Sequence, residues 1–287
     1  MNKWKQIACL LLAGIFFLGC GKSSSKRISI GLVDGWAEGT AMTNVAKAYL
    51  AEKGYHVVMQ KATVNMLLAS MDNGDTDVYM DVWLPTTHGE KVKPFPNLEN
   101  VGVNYNEARS GLVVPEYVDI NSIEELNAHA DKFNHRIVGI ERGSGIVTHT
   151  DDAIEAYKLD FEQLNSSTVA MAAELSQAIE QKQWIVVTGW QPHWLFGRYK
   201  LKFLDDPKNV YGEAEHLDTY VRQGFAQDFP EVYQFLQNVT FDSETMAKLL
   251  TKMESGRNKE KIAKEWINEN RALLDTWWPE NSPQNSN

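Results

Sequence analysis

The chain has 287 residues, 43% of them hydrophobic, and a formal net charge of −10. That length buries one large core or two medium ones, and the apolar content excludes a disordered chain. The acidic balance argues against nucleic-acid binding through counterion release, and two cysteines exclude a disulfide scaffold or a Cys-based zinc site.

The first element is a leader. Lys3 and Lys5 precede an apolar run from Ile7 to Leu18. A span needs about 18 or more apolar residues, so this shorter run predicts a secretory signal peptide. It ends at Gly19-Cys20, followed by the polar stretch Gly21 to Lys26. This boundary resembles the lipobox of bacterial lipoproteins, with Phe17 where that pattern has Leu. The resemblance implies removal of residues 1–19, lipid modification at Cys20 and a tether over 20–26. The protein is then expected to be exported and anchored to a bacterial membrane, facing the periplasm or cell exterior, without spanning it.

Ile28, Ile30 and Leu32 alternate as in a strand. Helical spacing follows from Gly39 to Lys53 and stops at Gly54. His56 to Gln60 reads as a strand, Val64 to Met71 as a helix, and Val78 to Val82 as a third strand. This alternation predicts a parallel sheet with right-handed crossovers. The pattern restarts with a strand over Arg136 to Ile140, then Gly143-Ser144-Gly145. A helix over Thr150 to Lys158 is expected next, with Asp151 and Asp152 near its positive end. Another helix, Val169 to Gln181, precedes an apolar strand over Trp184 to Thr188. Pro230 to Trp278 is helix-rich and amphipathic, and residues 280–287 are a polar tail. An extended segment, Gly111 to Glu116, fits a crossover between two units, with the return near Asp205 to Glu215. The expected lobes are 27–113 with 214–279, and 114–213.

Phosphate-loop, zincin and nucleophile-elbow patterns are missing. The scattered histidines share no metal-ligand spacing, so no metal and no cofactor are expected. Three tryptophans instead fall at the carboxyl ends of predicted strands, where open α/β sheets bind ligands: Trp36, Trp83 and Trp190. Gly143 to Ile146 has the same address and offers backbone N–H groups to an anion. Indole faces suit a quaternary ammonium, which has no N–H to donate, at roughly 0.5–2 kcal/mol per contact. The matching ligand is a zwitterion with a bulky onium head and a carboxylate. Asp34 and Glu38 have two readings, beside the ligand cation or as helix-capping or solvent-facing acids, and the second carries more weight.

These residues sit in longer stretches: Asp81-Val-Trp-Leu-Pro-Thr-Thr-His88, Gly111-Leu-Val-Val-Pro115, Gly143-Ser-Gly-Ile146, and Thr188-Gly-Trp-Gln-Pro-His-Trp194 continuing through Arg198 to Pro207. The sequence resembles glycine-betaine-binding proteins, the substrate-binding components of bacterial ABC importers for compatible solutes. The resemblance runs from about Arg27 to Trp278. It implies an α/β, two-lobed periplasmic-binding-protein-like fold (type II), hinged by two crossover segments. It implies an aromatic cage of Trp36, Trp83 and Trp190. It also implies a carboxylate grip from His88 and the N–H groups of Gly145 and Ile146. The implied partners are a betaine, a membrane permease and, through Cys20, the membrane. The chain is expected to be a monomer and to catalyse nothing. Within the same fold, carnitine, choline, proline betaine and ectoine compete with glycine betaine as ligands. Two readings of a different class are a lipoprotein hydrolase using Ser144 and a chaperone or adhesin without a small ligand.

Overall fold

The computed structural model describes residues 26–279. The leader, Cys20, all of the tether but Lys26, and the polar tail therefore lie outside the described residues. The chain runs β1 (Arg27–Leu32), α1 (Ala37–Glu52), β2 (His56–Lys61), α2 (Val64–Asp72), β3 (Val78–Leu84), α3 (Gly89–Val92) and β4 (Leu98–Pro115). A 3-10 run, Ile123–Phe133, leads to β5 (Arg136–Gly139), α4 (Gly145–Tyr157), β6 (Glu162–Asn165), α5 (Thr168–Gln181), β7 (Val187–Gln191), α6 (Trp194–Arg198) and β8 (Leu201–Phe203). Then come β9 (Glu215–Arg222), α7 (Phe225–Asp228), α8 (Pro230–Asn238), α9 (Ser243–Glu254), α10 (Lys259–Glu269) and α11 (Arg271–Trp277).

The strand order is β2-β1-β3-β9-β4-β7-β5-β6, with β8 also on β4. The expected parallel pairing is found among β1, β2 and β3 and among β5, β6 and β7, but the strands between them are antiparallel. β1 lies parallel to β2 and β3, but β9 runs antiparallel to β3, and β4 is antiparallel to β9, β7 and β8. The long β4 makes two half-sheets of one. Its pairing with β9 ends at Ala108, and its pairing with β7 begins at Arg109. Gly111 to Pro115, expected as a crossover, is thus ladder-paired strand, and the change of partner falls just before it.

Local chemistry explains most boundaries. α5 starts at Ser167, whose hydroxyl accepts from Ala170 N. The 3-10 run starts with a capping box between Ser122 and Glu125. β3 is buried along all of Val78 to Trp83, as befits a central strand. Two predicted boundaries move. α4 begins at Gly145, not Thr150, so Asp151 and Asp152 are mid-helix and exposed rather than at the positive end. The apolar strand is Val187–Gln191, not Trp184 to Thr188. Ile185 and Val186 are buried, but the ladder is set by Arg109 to Val113 of β4 opposite.

Candidate ligand-binding site

Trp36 is the N-cap of α1, Trp83 lies near the end of β3, and Trp190 lies inside β7. The fold brings all three indoles, each 4–5% exposed to solvent, to the wall of one cavity. Trp36 and Trp190 have ring centroids 6.5 Å apart at 55°, and Trp36 lies parallel to the His88 ring at 5.8 Å. Each indole N–H donates to a carboxylate: Trp36 to Glu141 Oε1 (2.6 Å), Trp83 to Asp81 Oδ1 (2.9 Å) and Trp190 to Glu38 Oε2 (3.0 Å). These bonds fix the ring planes at their polar edges and leave the π faces as apolar wall. Two of them, from Trp36 and from Trp190, join one half-sheet's unit to the other.

The same cavity is lined by His88, Gly145 and Ile146. Trp83 N donates to His88 Nδ1 at 3.0 Å, so the neutral ring carries its proton on Nε2. Burial, then the charges of Lys91 and His149, pushes His88 down to about 3, so the ring is neutral at physiological pH. His88 Nε2 is buried and has no partner, leaving one N–H donor facing the cavity. Gly145 and Ile146 are the first two residues of α4, where N–H groups have no acceptor within the helix. The positive helix end therefore adds two donors. Gly145 is required by close approach: a Cβ there would sit 2.6 Å from the Thr87 carbonyl oxygen.

The loop carrying Thr87 and His88 is held by Glu215 at the start of β9. This carboxylate accepts from Thr86 N (2.9 Å), Thr87 N (2.7 Å) and Thr87 Oγ1 (2.5 Å), and Glu215 is 1% exposed. Glu215→Ala strands three donors, and we expect a loss of about 3 kcal/mol of stability in urea unfolding. An unchanged midpoint would mean that the loop needs no such clamp.

All six sequence-predicted residues thus line one cavity. Thr87, Ser110 and Ile140, which no local signal singles out, share its wall with Ser144 and Glu38. Glu38 is the main correction. Its sequence context suggests a cap or surface acid, but it is 0% exposed, because β3 and β7 pack over the first turn of α1. Its position two residues after Trp36 is the one local signal that points to the site. Asp34 does face solvent, where it pairs with Lys61 at 2.8 Å. Ser144 donates to the Glu141 carbonyl at 2.9 Å. His193 packs edge-on against Trp190 at 4.8 Å, and its Nδ1 accepts from Leu195 N.

Residues 26–269 match the family described as the substrate binding domain of ABC-type glycine betaine transport systems. The glycine betaine/carnitine transport binding protein GbuC of Listeria monocytogenes is 43% identical over 150 residues, 51% of this chain and 50% of that protein. The chain's match therefore spans half the length of that relative. Among solved structures, a glycine betaine/L-proline-binding protein (ProX) of Borrelia burgdorferi has 32% identity and a TM-score of 0.85, covering 88% of this chain and 97% of its own. Lactococcal OpuAC, in a closed conformation complexed with glycine betaine, has 32% identity and a TM-score of 0.83, covering 88% and 99%. A choline-binding protein in complex with choline has 28% identity and a TM-score of 0.82, covering 88% and 92%. These neighbours share the two-lobed α/β architecture built here around β4. With the family match running through both half-sheets and every wall of the cavity, the chain belongs to the substrate-binding domains of ABC-type glycine betaine transport systems.

Proposed function

We propose that this protein captures glycine betaine between its two lobes and delivers it to the membrane permease of an ABC importer, as an osmoprotectant. The trimethylammonium head is held by the faces of Trp36, Trp83 and Trp190. The carboxylate is held by the N–H groups of Gly145 and Ile146 and by His88 Nε2. The observation that carries this reading is the pairing, in one cavity, of three indole walls with a buried imidazole donor that has no partner. In our reading the lobes are 27–113 with 214–279, and 114–213. Ligand bridging both lobes favours the closed arrangement, because only closure completes the contacts. ATP is hydrolysed on a separate subunit, and this chain, acting as a monomer, catalyses nothing. Ser144 supports no hydrolase reading, since its hydroxyl is spent on a backbone carbonyl. The Lys3, Lys5 and Ile7 to Leu18 leader ending at Gly19-Cys20 supports export and a lipid anchor at Cys20.

Choline is the competing ligand, because one neighbour is solved in complex with it. Choline has no carboxylate and leaves the α4 terminus and His88 unused. Calorimetry with glycine betaine, carnitine, choline and ectoine separates the readings. We expect glycine betaine at about −8 kcal/mol, in the micromolar range. His88→Ala is expected to weaken betaine by about 1.5–3 kcal/mol and choline by less. Equal losses for both ligands would remove His88 from the carboxylate grip, and no heat with any of the four would sink the capture reading.

A further inference from the structure

Behind the cage lie two acids that betaine capture by itself does not require. Glu38 and Asp81 are 0% and 1% exposed. Each has one oxygen bonded to a cage indole and the other, Glu38 Oε1 and Asp81 Oδ2, buried with no partner. They come from different elements, α1 and the centre of β3, which pack against one another. Gly39, next to Glu38, lets the α1 backbone pack on Asp81: a Cβ there would lie 3.0 Å from Asp81 Cγ. Glu38 also lines the cavity.

Nothing nearby neutralises the pair. Among the described residues neither acid forms an ion pair. On β3, the Tyr79 hydroxyl is also buried and unpartnered, and burial and the two acids push it upward, so it stays neutral. The β7 and β3 neighbours are the Trp190 and Trp83 indoles, which do not titrate. His88 and His193 are each pushed down to about 3 by burial and carry no charge at neutral pH. The other buried acids, Glu215 and Asp218 on β9, are engaged by Thr86 and Thr87, and by His216 and Asn100. Two adjacent carboxylates cut off from water cannot both ionise without a cation. Burial first, then Asp81, raises Glu38 well above the usual carboxylate range, and burial raises Asp81 to about 7.

Resting on the capture reading above, we propose that Glu38 and Asp81 share a proton behind the cage, and that an incoming quaternary ammonium head expels it to solvent. Capture is then coupled to proton release, and the pair, with Glu38 at the wall, sets the preference for a cationic head. The head brings the missing positive charge, stabilises the ionised pair and lowers its proton affinity. The sign follows: burial and mutual repulsion raise the pair's proton affinity in the free protein, so binding tightens as pH rises toward that raised titration.

The test is calorimetry of the full protein with glycine betaine at pH 7 in phosphate and in Tris, whose ionisation heats differ. We expect buffer-dependent heats reporting release of up to one proton, and a Kd that falls from pH 6 to pH 8 by at most about tenfold per unit. Glu38→Gln keeps an acceptor for the Trp190 N–H but removes one acid, so the buffer dependence and the pH slope should both disappear. Asp81→Asn, which likewise keeps an acceptor for Trp83, provides the same test should the first variant not fold. Identical heats in the two buffers for the natural protein overturn the proposal while leaving betaine capture standing. Buffer dependence that persists in a folded variant also overturns it, because the proton then comes from elsewhere. No heat with glycine betaine or choline in either buffer defeats the capture reading and this proposal together.

Discussion

Gly145→Ala is expected to weaken glycine betaine binding roughly 10- to 100-fold while leaving the unliganded protein at least as stable. Gly145 opens α4 on one side of the cavity and meets Thr87 from the other, where the added methyl would sit 2.6 Å from the Thr87 carbonyl oxygen. That oxygen cannot retreat easily, since Glu215 grips the amides of Thr86 and Thr87. Overpacking of this kind costs about 1–3 kcal/mol. The cost falls only on the closed arrangement, so it subtracts directly from apparent affinity. Alanine is also a better helix former than glycine, so the open protein gains slightly. Paired calorimetry and thermal melts check both halves of this result. Affinity equal to that of the natural protein would mean that closure does not need the Gly145–Thr87 approach.

Trp190→Ala is expected to cost about 3 kcal/mol of betaine affinity, on the order of a hundredfold. One part is the lost π face, worth up to about 2 kcal/mol when desolvated. The other is the lost N–H donor to Glu38 Oε2, which leaves both oxygens of a fully buried carboxyl without a partner. Trp190→Phe keeps a ring face but not the donor, and an intermediate loss is expected. Far-ultraviolet dichroism establishes that both variants are folded before titration. Unchanged affinity in Trp190→Ala would take this ring out of the cage.

How far the site was legible depends on how local its signals are. The first five elements alternate apolar residues at strand and helix spacing, and their ends carry their own stops, such as Gly54. Trp36, Trp83 and Trp190 stood out because large aromatics followed or closed predicted strands. The Gly143-Ser144-Gly145 turn stood out because glycines precede a helix. Glu38 was ambiguous for the same reason that these were legible. An acid in a helix's first turn has an ordinary local explanation, the macrodipole, and nothing in its neighbours reveals that β3 and β7 will bury it.

The alternation of strands and helices, and the places of Trp36, Trp83, Trp190, Gly145 and Ile146 at strand and helix ends, were determined by the sequence, because each rests on spacing or on a short contiguous motif, whereas His88 came only from the family resemblance. The tertiary structure alone decided the antiparallel insertion of β9 beside β3, the switch of partner within β4, and the three-residue shift of β7. It alone placed Glu38 against Asp81. Pairing register and the burial of a charge depend on which distant segment lies opposite, and that information is not local to any stretch of chain.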